Sequence, residues 1–189
     1  IDCGIQFTDD ETPGIDYILP NIKYLEERKH KIRALVITHG HLDHIGGIPY
    51  LISYLGNPPI YTREFGALLI KKRQAEFPHL PPLDIRIVEA SDKVIPISSN
   101  FKVRFFGLTH AIPDSTGIII ETPYGDSVNT GDVRVENENG APVEKEFKQY
   151  EMFKDRNILL FIMDSTGIDK PGFSPSEASI LKNIDTLVK

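Results

Sequence analysis

The chain has 189 residues, 40% hydrophobic and 25% charged, ordinary values for a folded domain with a real core, which argues against wholesale disorder. Its longest apolar run, Ile158-Leu159-Leu160-Phe161-Ile162-Met163, is far too short to cross a bilayer, so no membrane partner is expected. A net charge of −6, from 21 basic and 27 acidic residues, argues against a broadly basic surface that grips nucleic acid everywhere. It leaves room for a phosphate substrate at a metal site, where bound ions are the largest local positive charge.

The opening Ile1-Asp2-Cys3-Gly4 has neither an initiator Met nor a basic leader, so the chain is expected to start inside a longer protein. Cys3, the one cysteine, excludes an internal disulfide framework and any zinc site built from several cysteines, and fits a cytoplasmic protein. As a small apolar residue beside Gly4 it is expected to be buried rather than reactive. Pro20 opens a short helix through Leu25 and Arg28. The run Ala34-Leu35-Val36-Ile37 then reads as a buried strand.

Directly after that strand, His39-Gly40-His41-Leu42-Asp43-His44 packs three imidazoles and a carboxylate into one short loop. A loop at a strand end aims neighbouring side chains into one cleft, which a strand with alternating faces cannot do. Imidazole nitrogen with carboxylate oxygen suits zinc and similar divalent ions. Four such groups exceed what one open catalytic ion takes from a single segment, so two metals are expected.

Further along, Ile48, Leu51, Ile52 and Leu55 recur at helical spacing and stop at Gly56-Asn57-Pro58-Pro59. Ile60-Tyr61 is a strand, and Thr62 is expected to cap a helix carrying Phe65, Leu68 and Leu69 that ends before Pro78. On that helix Lys71, Lys72 and Arg73 read as an exposed, solubilising group rather than an RNA-binding one. His30, in a charged run, and His79, between prolines, read as surface residues. Strands are predicted at Ile85–Val88, Phe101–Phe105, Gly117–Ile120 and Ser127–Thr130, with Ile158–Met163 as a fully buried strand. Glu136–Gly140 reads as a solvated loop. Ser174-Pro175-Ser176-Glu177 has the capping-box pattern, with Pro at the first position of a terminal helix whose apolar face is Leu181, Ile184, Leu187 and Val188. This alternation of strands and helices predicts a layered α/β architecture.

Three isolated acids and one histidine stand where strands meet loops. His110 and Asp132 each follow a predicted strand, at the sheet edge where functional groups gather, and can complete a metal centre. A carboxylate bridging two ions, with imidazoles at the remaining positions, is a paired-metal arrangement used for hydrolysis. Asp2 either orients a ligand histidine or caps a turn, and Asp164 either holds a ligand histidine or handles a proton.

The string His39–His44, the later lone His110 and the pair Gly131-Asp132 resemble, in this order, the successive metal motifs of the metallo-β-lactamase superfamily. The resemblance implies an αββα four-layer sandwich with two zinc ions at one edge, Mn2+ or Mg2+ being the alternatives. It also implies that His39, His41 and His110 hold one ion, Asp43 and His44 the other, with Asp132 bridging and Asp2 orienting a ligand histidine. The segments Thr38–Leu51, His110–Ser115, Thr130–Asp132 and above all Asp164-Ser165-Thr166 with Pro171–Glu177 are most similar to the ribonuclease J family of the β-CASP branch. That similarity makes residues 1–164 a metallo-β-lactamase domain without its opening strands and 165–189 the start of a β-CASP subdomain, with Asp164 as the branch's acidic motif. It implies a fold incomplete at both ends, with a final histidine ligand and the groups that grip RNA phosphate beyond Lys189.

The function so implied is hydrolysis of RNA phosphodiester bonds, 5′→3′ exonucleolytic and endonucleolytic, in RNA processing and decay. Two zinc ions would activate a bridging hydroxide, and Asp43, Asp132 and Asp164 would be the catalytic acids of a cytoplasmic homo-oligomer. Two rivals remain. One is a hydrolase of the same fold acting on a lactone, a thioester or DNA, which only the Asp164–Glu177 segment disfavours. The other is a metal-binding scaffold without turnover.

Overall fold

The computed structural model describes residues 1–8, 13–89 and 93–188. A short antiparallel pair, β1 (Gln6–Phe7) and β2 (Tyr17–Ile18), precedes the single-turn helix α1 (Lys23–Glu26). Strands β3 (Leu35–Val36), β4 (Ile60–Thr62) and β5 (Ile85–Ile87) then form a parallel sheet in that order, with Leu35 opposite Ile60 and Ile60 opposite Ile85. Between these strands lie α2 (Leu42–Ile45), α3 (Ile48–Leu51) and α4 (Glu64–Gln74).

The second sheet is larger and mixed. Strands β6 (Ile95–Pro96), β7 (Lys102–Gly107), β8 (Thr116–Thr122) and β9 (Gly125–Asn129) pair antiparallel in sequence. After the small hairpin β10 (Asn137–Glu138) and β11 (Ala141–Pro142) and helix α5 (Glu144–Tyr150), the strand β12 (Ile158–Ile162) joins β9 in parallel at the edge. Helix α6 (Glu177–Val188) closes the described chain.

The period-two alternation of strand side chains sorts the core into three clusters. Leu35, Ile37 and Ile60 point to one face and pack with Ile45, Ile48, Leu51, Ile52 and Ile70 from the helices. Val36, between them, points the other way and meets Val88, Val103, Phe105 and Ile118 between the sheets. Phe106, Ile119 and Val128 cover the outer face of the second sheet, under Met152 and Phe153. The layers therefore run helix, sheet, sheet, helix, the αββα sandwich expected.

Several local expectations fail. The run Ile158–Met163 is not a fully buried strand: Leu159 to Met163 are 45% to 59% exposed, because β12 is the edge strand and only β9 flanks it among the described residues. Thr62 ends β4 instead of capping α4. Its place is taken by a distant acid, Asp114, whose Oδ2 accepts the Phe65 N–H at 3.1 Å while Oδ1 pairs with Arg63 at 3.0 Å. The 136–140 segment contains β10 and the turn that leads into β11, with Asn137 buried and its amide donating to the Ser174 carbonyl. At α6 the cap is Ser176, whose Oγ accepts the Ser179 N–H at 3.2 Å, two residues later than the capping-box spacing implies. Arg73 is not a free surface cation; it donates to Tyr50 Oη at 3.1 Å and lies over the rings of Tyr50 and Phe77. Cys3 is buried as expected, and burial pushes its thiol up to about 11, which keeps it inert at neutral pH.

Candidate metal centre

Strand direction brings the polar groups together. β7 and β9 are each antiparallel to β8, and β12 is parallel to β9, so β7, β9 and β12 all run the same way. The residues that follow them, His110, Asp132 and Asp164, therefore emerge at one edge of the second sheet. The end of β3 is pinned to that edge by Thr116, whose N–H and hydroxyl both donate to the Thr38 carbonyl, at 3.0 and 2.9 Å. A second tie runs from the Arg134 N–H to the Thr109 carbonyl at 2.7 Å, joining the His110 and Asp132 loops. Gly131 has φ +57°, and a Cβ there would lie 2.8 Å from Thr38, so the turn into Asp132 needs glycine.

His39, His41, His110 and Asp132 form one convergent group, and Asp43, His44 and Asp132 a second; within each, the donor atoms all lie within 4.8 Å of one another. His39 Nε2 and His41 Nδ1 are 2.9 Å apart, and His110 Nε2 is 3.3 Å from the same His41 nitrogen. Zinc–nitrogen bonds of about 2.0–2.1 Å in a tetrahedron put neighbouring nitrogens roughly 3.3 Å apart, so nitrogens this close could share a metal ion. Asp132 divides its oxygens. Oδ2 lies 3.7 Å from His110 Nε2 and 4.0 Å from His39 Nε2, while Oδ1 is 3.2 Å from His44 Nε2. Asp43 Oδ2 stands 3.6 Å from that same His44 nitrogen.

A buried relay fixes which ring nitrogens face the cleft. Asp2 takes three hydrogen bonds, from the Thr38 N–H at 2.8 Å, the Thr38 hydroxyl at 2.9 Å and His44 Nδ1 at 2.8 Å. Having donated its proton to Asp2, Thr38 Oγ1 is left to accept from His39 Nδ1, 3.0 Å away. Both histidines thereby carry their proton on Nδ1 and turn the Nε2 lone pair to the cleft. Orienting partners of this kind also raise ligand basicity. Thr38 itself was not singled out from sequence; the signal was a polar residue closing an apolar strand immediately before a histidine.

The electrostatics favour neutral donors at His39 and His110. Burial, then the charges of His44, His110 and His41, push His39 down to about 3, so it is unprotonated at neutral pH. Burial also lowers His110, against the pull of Asp132. On His44 burial acts in the same direction, but the hydrogen bond and charge of Asp2, helped by Asp132 and Asp43, outweigh it and leave the imidazole raised. Neutral imidazole and ionised carboxylate are the forms that bind a metal. The donor set is thus chemically suited to divalent ions: three imidazoles and a shared carboxylate for one, an imidazole and two carboxylates for the other.

Asp164 sits differently. Its Oδ2 accepts the Val133 N–H at 3.2 Å and its Oδ1 the Thr166 N–H at 2.8 Å, so it braces the backbone next to Asp132. Burial works to raise this carboxyl, but the two amides and the charge of His110 lower it overall. Neither donor group includes it. His30 and His79 are exposed and belong to neither donor group.

A family model described as the metallo-beta-lactamase superfamily matches residues 1–170, and the chain belongs to that superfamily. Within it, the chain is similar to proteins named ribonuclease J. It is 39% identical over 189 residues to that of Mycoplasma pneumoniae, covering 100% of this chain and 33% of that protein. It is 35% identical over 196 residues to that of Thermus thermophilus, covering 100% of this chain and 34% of that one. The chain thus spans about a third of the length of these curated relatives. Among solved structures, a protein of unknown function from Enterococcus faecalis V583 superposes with a TM-score of 0.62 at 19% identity, covering 94% of this chain and 46% of the other. A metallo-β-lactamase of Cronobacter sakazakii superposes at 0.52 with 14% identity, covering 76% and 60%. These two likenesses concern the fold alone.

Proposed function

We propose that this chain carries the metal centre of a ribonuclease J-like hydrolase that cleaves RNA phosphodiester bonds, exonucleolytically from the 5′ end and endonucleolytically. The observation behind the chemistry is the division of the Asp132 carboxylate between two donor sets. Kinship with ribonuclease J supports RNA as the substrate. Two divalent ions, zinc first among them with Mn2+ or Mg2+ as substitutes, would supply charge to neutralise a phosphate oxygen and would acidify water enough to make it a nucleophile at working pH.

The chain's own residues prepare that chemistry. His39, His41 and His110 would hold one ion and Asp43 with His44 the other, while Asp132 keeps the two sets in register. Asp2 and Thr38 engage Nδ1 of His44 and of His39, which leaves each Nε2 facing the cleft. Asp164, through the Val133 amide, keeps the Asp132 carboxylate aimed. Residues 165–189 would begin a β-CASP subdomain; the resemblance of Pro171–Glu177 to that branch supports it, as does the exposed apolar face of α6, including Leu181 and Leu187. The intact protein would act in the cytoplasm as a homo-oligomer. Among the described residues no helix is long and apolar enough to cross a membrane.

Metal analysis of the purified protein, together with hydrolysis of a 5′-monophosphorylated RNA by wild type and Asp132→Ala, tests this reading. Bound zinc with cleavage that Asp132→Ala abolishes is the expected result. Turnover of a lactone, thioester or DNA in place of RNA would overturn the substrate, and metal binding without turnover of any of them would leave a scaffold.

A further inference from the structure

The dipeptide Thr-His occurs twice at this centre, as Thr38-His39 and as Thr109-His110. In both, the threonine hydroxyl donates to a carboxyl group from a distant part of the chain. Thr38 uses Asp2. Thr109 uses Glu146, on α5, whose Oε1 accepts the Thr109 hydroxyl proton at 2.7 Å. Glu146 is only 2% exposed, and Gln149, one turn further along α5, donates to the same Thr109 oxygen at 3.2 Å.

Packing alone does not call for an acid here. α5 leads into Met152 and Phe153, which cover an apolar sheet face, and an apolar side chain would serve that purpose. Instead the helix buries a carboxyl group whose second oxygen, Oε2, has no hydrogen-bond partner among the described residues, a costly arrangement. What the acid does hold is a junction. The Thr109 carbonyl accepts the Arg134 N–H, so Thr109 is the residue through which the His110 loop and the loop after Asp132 touch.

We propose that Glu146 is a positioning residue of the metal centre: by fixing the Thr109 hydroxyl it sets the spacing between His110 and Asp132, the counterpart of what Asp2 does through Thr38 for His39. The two buttresses differ in reach. Asp2 also bonds a ring directly, at His44 Nδ1, whereas Glu146 acts through the backbone of Thr109. The assignment rests on the reading that His39, His41, His110 and Asp132 hold a divalent ion.

The test is cobalt(II) affinity, read from the visible d–d spectrum and by chelator competition, for wild type, Glu146→Ala, Glu146→Gln, Thr109→Val and the Glu146→Ala/Thr109→Val double variant. Melting of the metal-free proteins runs alongside. Loss of the strut should weaken the tighter cobalt site about tenfold in Glu146→Ala and in Thr109→Val, the low end of what orienting partners of ligands contribute. The double variant should be no weaker than either single one, because both remove the same contact. Glu146→Gln, which keeps an oxygen acceptor, should stay within about threefold of wild type by the same comparison. A lowered melting temperature with unchanged cobalt affinity and spectrum in Thr109→Val would overturn the proposal, and so would additive losses in the double variant. If Glu146→Ala does not fold, Thr109→Val and Glu146→Gln decide the matter. A wild-type protein that binds no cobalt would remove the metal-centre reading and the strut with it, an outcome distinct from binding that the variants leave untouched.

Discussion

Asp2→Asn is the cleanest perturbation of the relay. Asp2 has φ +56°, a left-handed conformation that asparagine tolerates at least as well as aspartate, so the change alters chemistry without adding backbone strain. The carboxylate accepts three protons on two oxygens, two from Thr38 and one from His44 Nδ1. An asparagine keeps one acceptor. With its oxygen on the Thr38 N–H, its amide faces His44 Nδ1 and forces that ring to carry the proton on Nε2, the nitrogen 3.2 Å from Asp132. In the flipped orientation the amide meets the buried Thr38 N–H donor to donor. Either way one ligand nitrogen or one buried amide is spoiled. Orienting partners of ligand histidines contribute about 10–100-fold in metal affinity, roughly 1.4–2.7 kcal/mol. A smaller effect opposes this: without the Asp2 charge, protons compete less for His44, whose affinity for them Asp2 raises. Raising the pH shrinks that term, so the titration is run over a series of alkaline pH values. Zinc competition titration of Asp2→Asn should show the weaker site losing about tenfold or more. Wild-type affinity at both sites would refute the tautomer argument.

Other consequences follow from the same contacts. Asp132→Ala should cost far more phosphodiesterase activity than Asp164→Ala, because Asp164 acts through the Val133 and Thr166 amides and losses of that kind are about 10–100-fold; equal, mild effects in a steady-state cleavage assay would contradict these roles. Stepwise zinc titration should find one tight and one weaker ion, since three imidazoles serve one group and a single imidazole the other; isothermal calorimetry showing two equal sites would count against it. Gly131→Ala should lower stability by about 2–3 kcal/mol in urea denaturation, through left-handed strain and displacement of Thr38; an unchanged midpoint would contradict the close approach. Glu121 is held below its ordinary 4.5: burial would raise it, but its bonds to Arg104 and Arg156 prevail. Its stabilisation is therefore present above 4.5 and fades as pH falls through the lower folded value. Glu121→Gln should be about 1–2 kcal/mol less stable than wild type at pH 7, with the gap closing in acid.

The parts legible in the sequence are those whose evidence is local. His39 to His44 announce themselves by density, and His110 and Asp132 by their position after strand-like runs. The strands at Phe101–Phe105 and Gly117–Ile120 are legible too, though their sorting of Phe105 from Phe106 and Ile118 from Ile119 into different core clusters is seen only in the fold. What escaped depends on partners far along the chain. Asp114 caps α4 from 49 residues away, and Glu146 meets Thr109 across 37. An exposed-looking acid in a loop or helix gives no sign of such a role. The run Ile158–Met163 misleads for a related reason: hydrophobicity reports a preference for burial, while coverage depends on which element lies beside the strand.

The centre concentrates terms that oppose folding. Three ring nitrogens converge, His41 Nδ1 lying 2.9 Å from His39 Nε2 and 3.3 Å from His110 Nε2, and His39 among them is 2% exposed. That convergence is not left to the rings alone. It is imposed from outside, by the Thr116 bonds to the Thr38 carbonyl, by the Arg134 amide on Thr109 and by Asp2 on Thr38 and His44. Thr38 follows Ile37, Asp2 precedes Cys3 and Thr109 follows Leu108, so the burial of the apolar clusters of the sandwich helps to hold the donors together. The same logic explains why partly buried Asp2 and buried Glu146 are each paired with a threonine hydroxyl. A hydroxyl can donate to the acid and accept from a ring or an amide at once, which lets one carboxylate at the margin fix a nitrogen it does not touch.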